Sequence, residues 1–409
     1  MSVEVVSIGN ELLYGFTVNS NASLIGQTLL ARGFAVERVT LLPDVAPSIR
    51  SGIKEAMNRG ASFILTTGGL GPTGDDLTRE VVAEVCHAPL TYNRSLADTL
   101  TQRFPAKPPY ILKNQSMMPR GAAIITNPIG TASGWILETR EARIIALPGV
   151  PSQVDAMLPQ VISYLEVHCE KTRYVKALYF CQISEDRIDP LLRSLEKEYP
   201  DVQIGICPSY DALSIFICAK SANYLDSIAE KIIFSFSSNF FSTTSRKIEV
   251  ALQEWMSAHQ KTLICAESCT GGHLSARLTA NSGASTYFLG GIVSYSNLLK
   301  QSTLHVSPET LKAHGAVSRE VVSEMARGAL DLGGADYAIA ISGIAGPSGG
   351  SREKPVGTVW GAIGTTQQIF TGKFFLQGEY TREQIIDQSS TFFLTNLWLY
   401  LKHHIEPFL

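Results

Sequence analysis

Short apolar runs alternate with amphipathic stretches in a regular order along this chain. Residues 3–8 (VEVVSI) and 36–42 read as strands, and 21–32 and 46–59 as helices. Ser62–Leu65 is a short apolar run that reads as a buried strand and empties into TTGGLGPTGDD (Thr66–Asp76). Beyond it, Leu77, Val81, Val82 and Val85 are spaced for one face of a helix that opens on Asp75. A helix near 95–103 and strands at 122–126, 135–138 and 143–147 follow. The stiff turn Pro148-Gly149-Val150-Pro151 then leads to a closing helix over 152–167. Strand–helix alternation at this spacing predicts an α/β domain with a mostly parallel sheet and helices on both faces. Ligands in such sheets bind beyond the carboxyl ends of the strands.

The pattern changes from Arg173 to about Thr244. VKALYFCQIS and LSIFICAK read as strands, with helical patterns at 186–198 and 224–235. A third pattern opens with a helix at 247–259 and a strand at 262–266, followed by ESCTGG (Glu267–Gly272) and a helix to about Thr279. Helices at 308–314 and 319–332 precede a strand at 336–341 that runs into SGIAGPSGG (Ser342–Gly350). Two antiparallel-looking strands, 357–364 and 368–376, and a helix over 382–403 complete the chain. The expected organisation is an α/β domain over 1–170, a small α+β spacer over 171–245 and a second α/β domain over 246–409.

Composition narrows the function classes. Hydrophobic residues make up 45% of the 409 positions and charged residues 17%, a globular profile. The net charge of −3 carries no basic footprint for nucleic acid, and no local Lys/Arg run supplies one. The opening MSVEVVSIGNELL lacks the basic and apolar segments of a secretory signal. The greasiest stretch, Thr391–Leu401, is amphipathic and too short for a membrane span. Seven scattered cysteines without CxxC spacing point to reduced thiols. The expectation is a cytoplasmic protein with no direct nucleic-acid or membrane partner.

Two glycine loops carry the candidate chemistry. In the first, Gly68, Gly69 and Gly71 let the backbone approach an anion, and the helix start that follows favours negative charge. Asp75 and Asp76, with Glu11, could hold a divalent cation such as Mg that bridges to phosphate. A tight turn with an acidic helix cap explains the same residues. In the second and the segment after it, Ser268, Cys269, Thr270 and Ser285 are hydroxyl or thiol candidates for a nucleophile, with Tyr295 and Lys300 as possible bases. A lysine whose pKa is lowered by burial can deprotonate serine without histidine. Ser268 and Thr270 could equally cap the helix after them.

GNELLYG, TTGGLGPTGDDLT, ALPGVP, AESCTGG, YSNLLK, HGAVS, SGIAGPSGG and KPVGTV occur in this order over nearly the whole chain. Together they resemble the CinA family, named for competence and damage inducibility. The resemblance implies a molybdopterin-binding-like, three-layer N-terminal domain that acts as an ADP-ribose pyrophosphatase with a divalent metal. It also implies a C-terminal domain similar to nicotinamide mononucleotide (NMN) deamidase, which needs no cofactor, and a homodimer. Carried over by motif, Ser268, Ser285, Tyr295 and Lys300 fall on the deamidase pocket. Ser285 is the favoured nucleophile, with Tyr295 and Lys300 activating it and Ser268 supporting; the two serines can exchange roles. The NMN phosphate is expected on Thr270, Gly271 and Gly272 or on the Ser342–Gly350 loop with Gly346, and Arg382 is a partner for it. Asn21, Thr73 and Asn114 are the nucleotide-binding expectations in the first domain. Gln153 stands where the family carries a carboxylate. That departure favours an alternative, a pterin- or nucleotide-binding module that does not cleave; a competence-related accessory protein is a third reading.

Overall fold

A computed structural model describes residues 2–171 and 173–408. Two compact units form: the residues up to Val175 with Cys218–Leu225, and Lys176–Ile217 with the residues from Asp226 on.

The first unit is built on a six-stranded sheet in the order Val36–Leu42, Val3–Ile8, Phe63–Thr67, Arg143–Leu147, Gly134–Glu138, Ala123–Ile125. The first four strands are parallel and the last two antiparallel. Successive side chains of a strand point to opposite faces, and the central strands bury both. Ile64 packs in a core with Ile49 and Ile53 of the helix Ala46–Asn58. Phe63 and Leu65 face Ile25, Leu29 and Val154 of the helices Ser20–Leu30 and Pro151–His168. This is the expected three-layer α/β arrangement. The helix expected from Asp75 begins later, at Thr78, because Asp76 is drawn back into the loop. Leu90–Tyr92 and Met117–Pro119 also pair antiparallel, with the helices Arg94–Arg103 and Pro109–Gln115 between them in the chain.

A four-stranded sheet, in the order Val202–Pro208, Leu213–Ala219, Tyr174–Phe180, Phe240–Ser242, forms over the segment read as a spacer. The sheet of the second unit runs Phe288–Val293, Leu263–Glu267, Tyr337–Gly343, Thr358–Gly364, Ile369–Phe375. Its first three strands are parallel and the last two antiparallel, as the pattern suggested. Leu263 and Cys265 share one core with the helices Ile248–Ala258 and Arg382–His403. Ile264 and Ala266 share the other with the helix Arg319–Gly333.

Three helices escaped the sequence reading: Asn10–Leu13, Pro109–Gln115 and Asn297–Leu304. Asn297–Leu304 is capped by the Ser296 hydroxyl, which accepts from the Leu299 N–H. It lies so tightly on Arg319–Gly333 that a Cβ at Gly328 would fall 2.0 Å from the Leu304 carbonyl oxygen. Only glycine permits that approach. Among the described residues, no helix is long and apolar enough to cross a membrane.

Candidate functional site

The strand Leu263–Glu267 is buried over its whole length and delivers Ser268 to its carboxyl end. The helix Asn297–Leu304 presents Lys300 on the same face as Leu304, one turn apart, and each is only 1% exposed. Lys300 Nζ lies 2.9 Å from Ser268 Oγ, 2.6 Å from the Ser294 carbonyl oxygen and 3.2 Å from that of Tyr295. Burial lowers the Lys300 pKa below the usual lysine value. A neutral amine has two N–H groups, enough for the two carbonyls, and its lone pair then faces the serine hydroxyl. The arrangement can remove a proton from Ser268.

Around this pair the loop is shaped by Gly271 and Gly272, at φ 59° and 100°. The Gly271 N–H donates to the Ser268 carbonyl at 3.1 Å and that of Gly272 to the Glu267 carboxylate at 3.0 Å. These two amides are therefore committed within the protein, contrary to the expected phosphate cradle. The Thr270 hydroxyl is buried without a partner. A cavity of about 620 Å³ is walled by Thr270, Gly271, Gly272, His273, Arg382 and Ile386, among others. Arg382 donates to the Gly346 carbonyl at 2.9 Å and to the Tyr295 hydroxyl at 3.1 Å.

The geometry corrects three further expectations. Ser285 is exposed in the turn before Phe288–Val293. That strand runs parallel to Leu263–Glu267, so Ser285 sits at the opposite end of the sheet from Ser268 and cannot reach Lys300. The Tyr295 phenol is 60% exposed and paired with Arg382, so only the Tyr295 carbonyl serves Lys300. Ser342 is buried and donates its hydroxyl to the Ala316 carbonyl at 2.8 Å. The Cys269 thiol is pushed up to about 12 by burial, which keeps it protonated and poorly nucleophilic.

In the first unit, Glu11, Gly68, Gly69, Gly71, Asp75, Asp76 and Gln153 line one cavity of about 580 Å³. Asp76 organises its loop by accepting from the Gly71 N–H at 2.7 Å and from the N–H and hydroxyl of Thr73. Thr73 itself lies outside the cavity wall, as do Asn21, which donates to the Gly149 carbonyl at 2.7 Å, and the exposed Asn114. Two wall residues escaped the sequence reading. Asp44 follows a strand end and Pro43, a placement that could have flagged it, and accepts from the Asn10 N–H. Burial raises its pKa, and Glu11, Asp75 and Asp76 add to the rise. Gln115, beside the expected Asn114, leaves its buried Oε1 without a partner. The acids thus share one cavity, yet no three His, Cys, Asp or Glu among the described residues are grouped to hold a metal ion. As arranged, Glu11, Asp75 and Asp76 do not fit the expected cation. Gln153 Oε1 accepts from Asn127 at 2.8 Å.

Residues 245–401 match the "CinA C-terminal domain" model and residues 4–167 the "Probable molybdopterin binding domain" model. A "CinA-like protein" of Thermotoga sp. (strain RQ2) is 35% identical over 97% of this chain and 98% of its own. This chain belongs to the CinA family. A second CinA-like protein, from Citrifermentans bemidjiense, is 36% identical over 94% of both chains. Among solved structures, a competence damage-inducible protein A of Klebsiella pneumoniae is 38% identical over 38% of this chain and 96% of its own, with a TM-score of 0.37. The two matched domains coincide with the two glycine-loop sheets, so each candidate site lies inside a matched domain.

Proposed function

We propose that the C-terminal site hydrolyses the carboxamide of NMN to nicotinate mononucleotide and ammonia, with Ser268 as nucleophile and Lys300 as its base. The observation that carries this reading is the 2.9 Å contact of a buried Lys300 amine with Ser268. Neutral Lys300 takes the Ser268 proton as Oγ bonds to the amide carbon, and the carbonyl π electrons move onto oxygen. Collapse of that oxyanion breaks the C–N bond, and Lys300 returns the proton to the leaving ammonia. Water then cleaves the ester, its proton passing through Lys300 to Ser268. Arg382, held by Tyr295 and Gly346, is the group suited to the substrate phosphate. The deciding experiment measures ammonia release from NMN by folded wild type, Ser268→Ala and Lys300→Met. Silence from wild type would end the reading, and so would a Ser268→Ala variant at wild-type rate.

For the N-terminal cavity, the carboxylate geometry supports nucleotide or pterin binding without cleavage over ADP-ribose hydrolysis. Asp76 is spent on its own loop and Gln153 carries no charge, so neither supplies the metal ligand or base that cleavage needs. Turnover of ADP-ribose with Mg by the wild type, lost in Asp75→Asn, would reverse this preference.

A further inference from the structure

Glu267 ends an interior strand of the second unit's sheet with a carboxylate that solvent does not reach, 0% exposed. Among the described residues, no basic side chain pairs with it. One carboxylate oxygen accepts from the Gly272 N–H at 3.0 Å and the Leu274 N–H at 3.1 Å; the other accepts from the Ser275 N–H at 2.9 Å and the Ser275 hydroxyl. These are the donors at the start of the helix His273–Thr279, where a negative charge is stabilised. The Glu267 main chain also serves the site. Its carbonyl accepts from the Ser294 N–H at 2.8 Å, and the Ser294 carbonyl is the one that holds Lys300 Nζ at 2.6 Å. Ser268 is its chain neighbour.

We infer that Glu267 is a positioning residue for the amide-hydrolase reaction, a resident anion that seats Ser268 against Lys300 and keeps the loop's N–H groups from the substrate phosphate. This rests on the amide-hydrolase reading above. Two roles follow from one group. The four donors fix the loop that carries Ser268 to the strand end, while the main-chain link through Ser294 fixes the height of Lys300. With the helix start already filled by a carboxylate, a phosphate brought there would meet a like charge in a dry pocket. Recognition of the phosphate therefore falls to Arg382, and the loop contributes to the chemical step alone.

Glu267→Gln preserves the volume but removes the charge and turns an NH₂ group toward at least one N–H donor, so at least one of the carboxylate's bonds is lost. The test combines steady-state ammonia release from NMN with labelling of Ser268 by a fluorophosphonate. In the labelling step the Ser268 Oγ–P bond forms, fluoride leaves, and Lys300 takes the proton. Glu267→Gln is expected to lower kcat by about tenfold or more with KM within twofold, and to slow Ser268 labelling by the same factor. A rise in KM with kcat unchanged, or labelling at the wild-type rate, would overturn the inference and leave Glu267 as a helix cap. If Glu267→Gln does not fold, Glu267→Asp carries the test: labelling slowed about threefold or more supports the inference, and unchanged labelling overturns it. If wild type releases no ammonia yet Glu267→Gln still slows labelling, the amide-hydrolase reading fails while the positioning role stands.

Discussion

Two glycine loops leave interior strands of two sheets, and each is tied back by a carboxylate, yet they are built for opposite ends. In the Thr66–Asp76 loop the tying group, Asp76, stands at a cavity shared with Glu11, Asp44 and Asp75. Charge there is concentrated and of one sign, which raises the Asp44 pKa together with burial. In the Glu267–Gly272 loop the tying group is sealed from water, and the chemistry-bearing pair, Ser268 and Lys300, is brought together beside it. One loop offers a polar surface whose acids stay apart. The other offers a dry contact between a hydroxyl and an amine. The same turn chemistry thus frames a polar cavity wall in one place and a hydroxyl–amine contact in the other, according to what is buried with it.

The sharpest way to break this contrast is to remove the dry contact. Ser268→Ala and Lys300→Met should each lower ammonia release from NMN by about a thousandfold or more, measured with circular dichroism to establish folding. Next comes pH. Because burial depresses the Lys300 pKa, its neutral form appears below the usual 10.5, and kcat should rise about tenfold per pH unit up to that lowered value. The sign for stability agrees. Between the lowered folded pKa and the unfolded value of 10.5 the unfolded chain binds the extra proton, so wild type should gain stability over Lys300→Met as pH rises through that window. A urea series at stepped pH reads it, and a flat difference would remove the buried-amine argument.

Arg382→Ala should raise KM for NMN by about tenfold with kcat within threefold, and leave KM for the dephosphorylated riboside unchanged. An equal loss on both substrates would place the phosphate elsewhere. Asp76→Asn should cost the first unit about 1–2 kcal/mol, seen in urea unfolding, while NMN turnover is untouched. The smallest effect is expected at Ser285→Ala, within twofold of wild type, since that hydroxyl stands at the far end of the sheet.

The sheets, their covering helices and both loops were legible because period-2 and helical apolar spacing repeat over long segments. Lys300 was named as a base from the motif, but its burial and its carbonyl acceptors were not legible, although its spacing from Leu304 puts both on one helix face. Ser285 was favoured on the motif carry-over, which sets it with Tyr295 and Lys300 but does not show the strand that separates it from them. Motif order fixes neighbours along the chain, whereas the direction of a strand decides which of them meet. Glu267 was visible as an acid closing an apolar run, but its partners, all main-chain donors but one, leave no mark in the residue pattern.

The close approach at Gly328 reaches into the chemistry without touching it. Any side chain there must push the Asn297–Leu304 helix away at Leu304, one turn beyond Lys300. A saturation library scored for turnover would then show an intolerant column at position 328, on a helix that meets no substrate. The same library scored for soluble expression would tolerate the small replacements. The activity proposed for this domain is held to a helix spacing, and heritable variation is expected to feel that limit at a residue with no functional group at all.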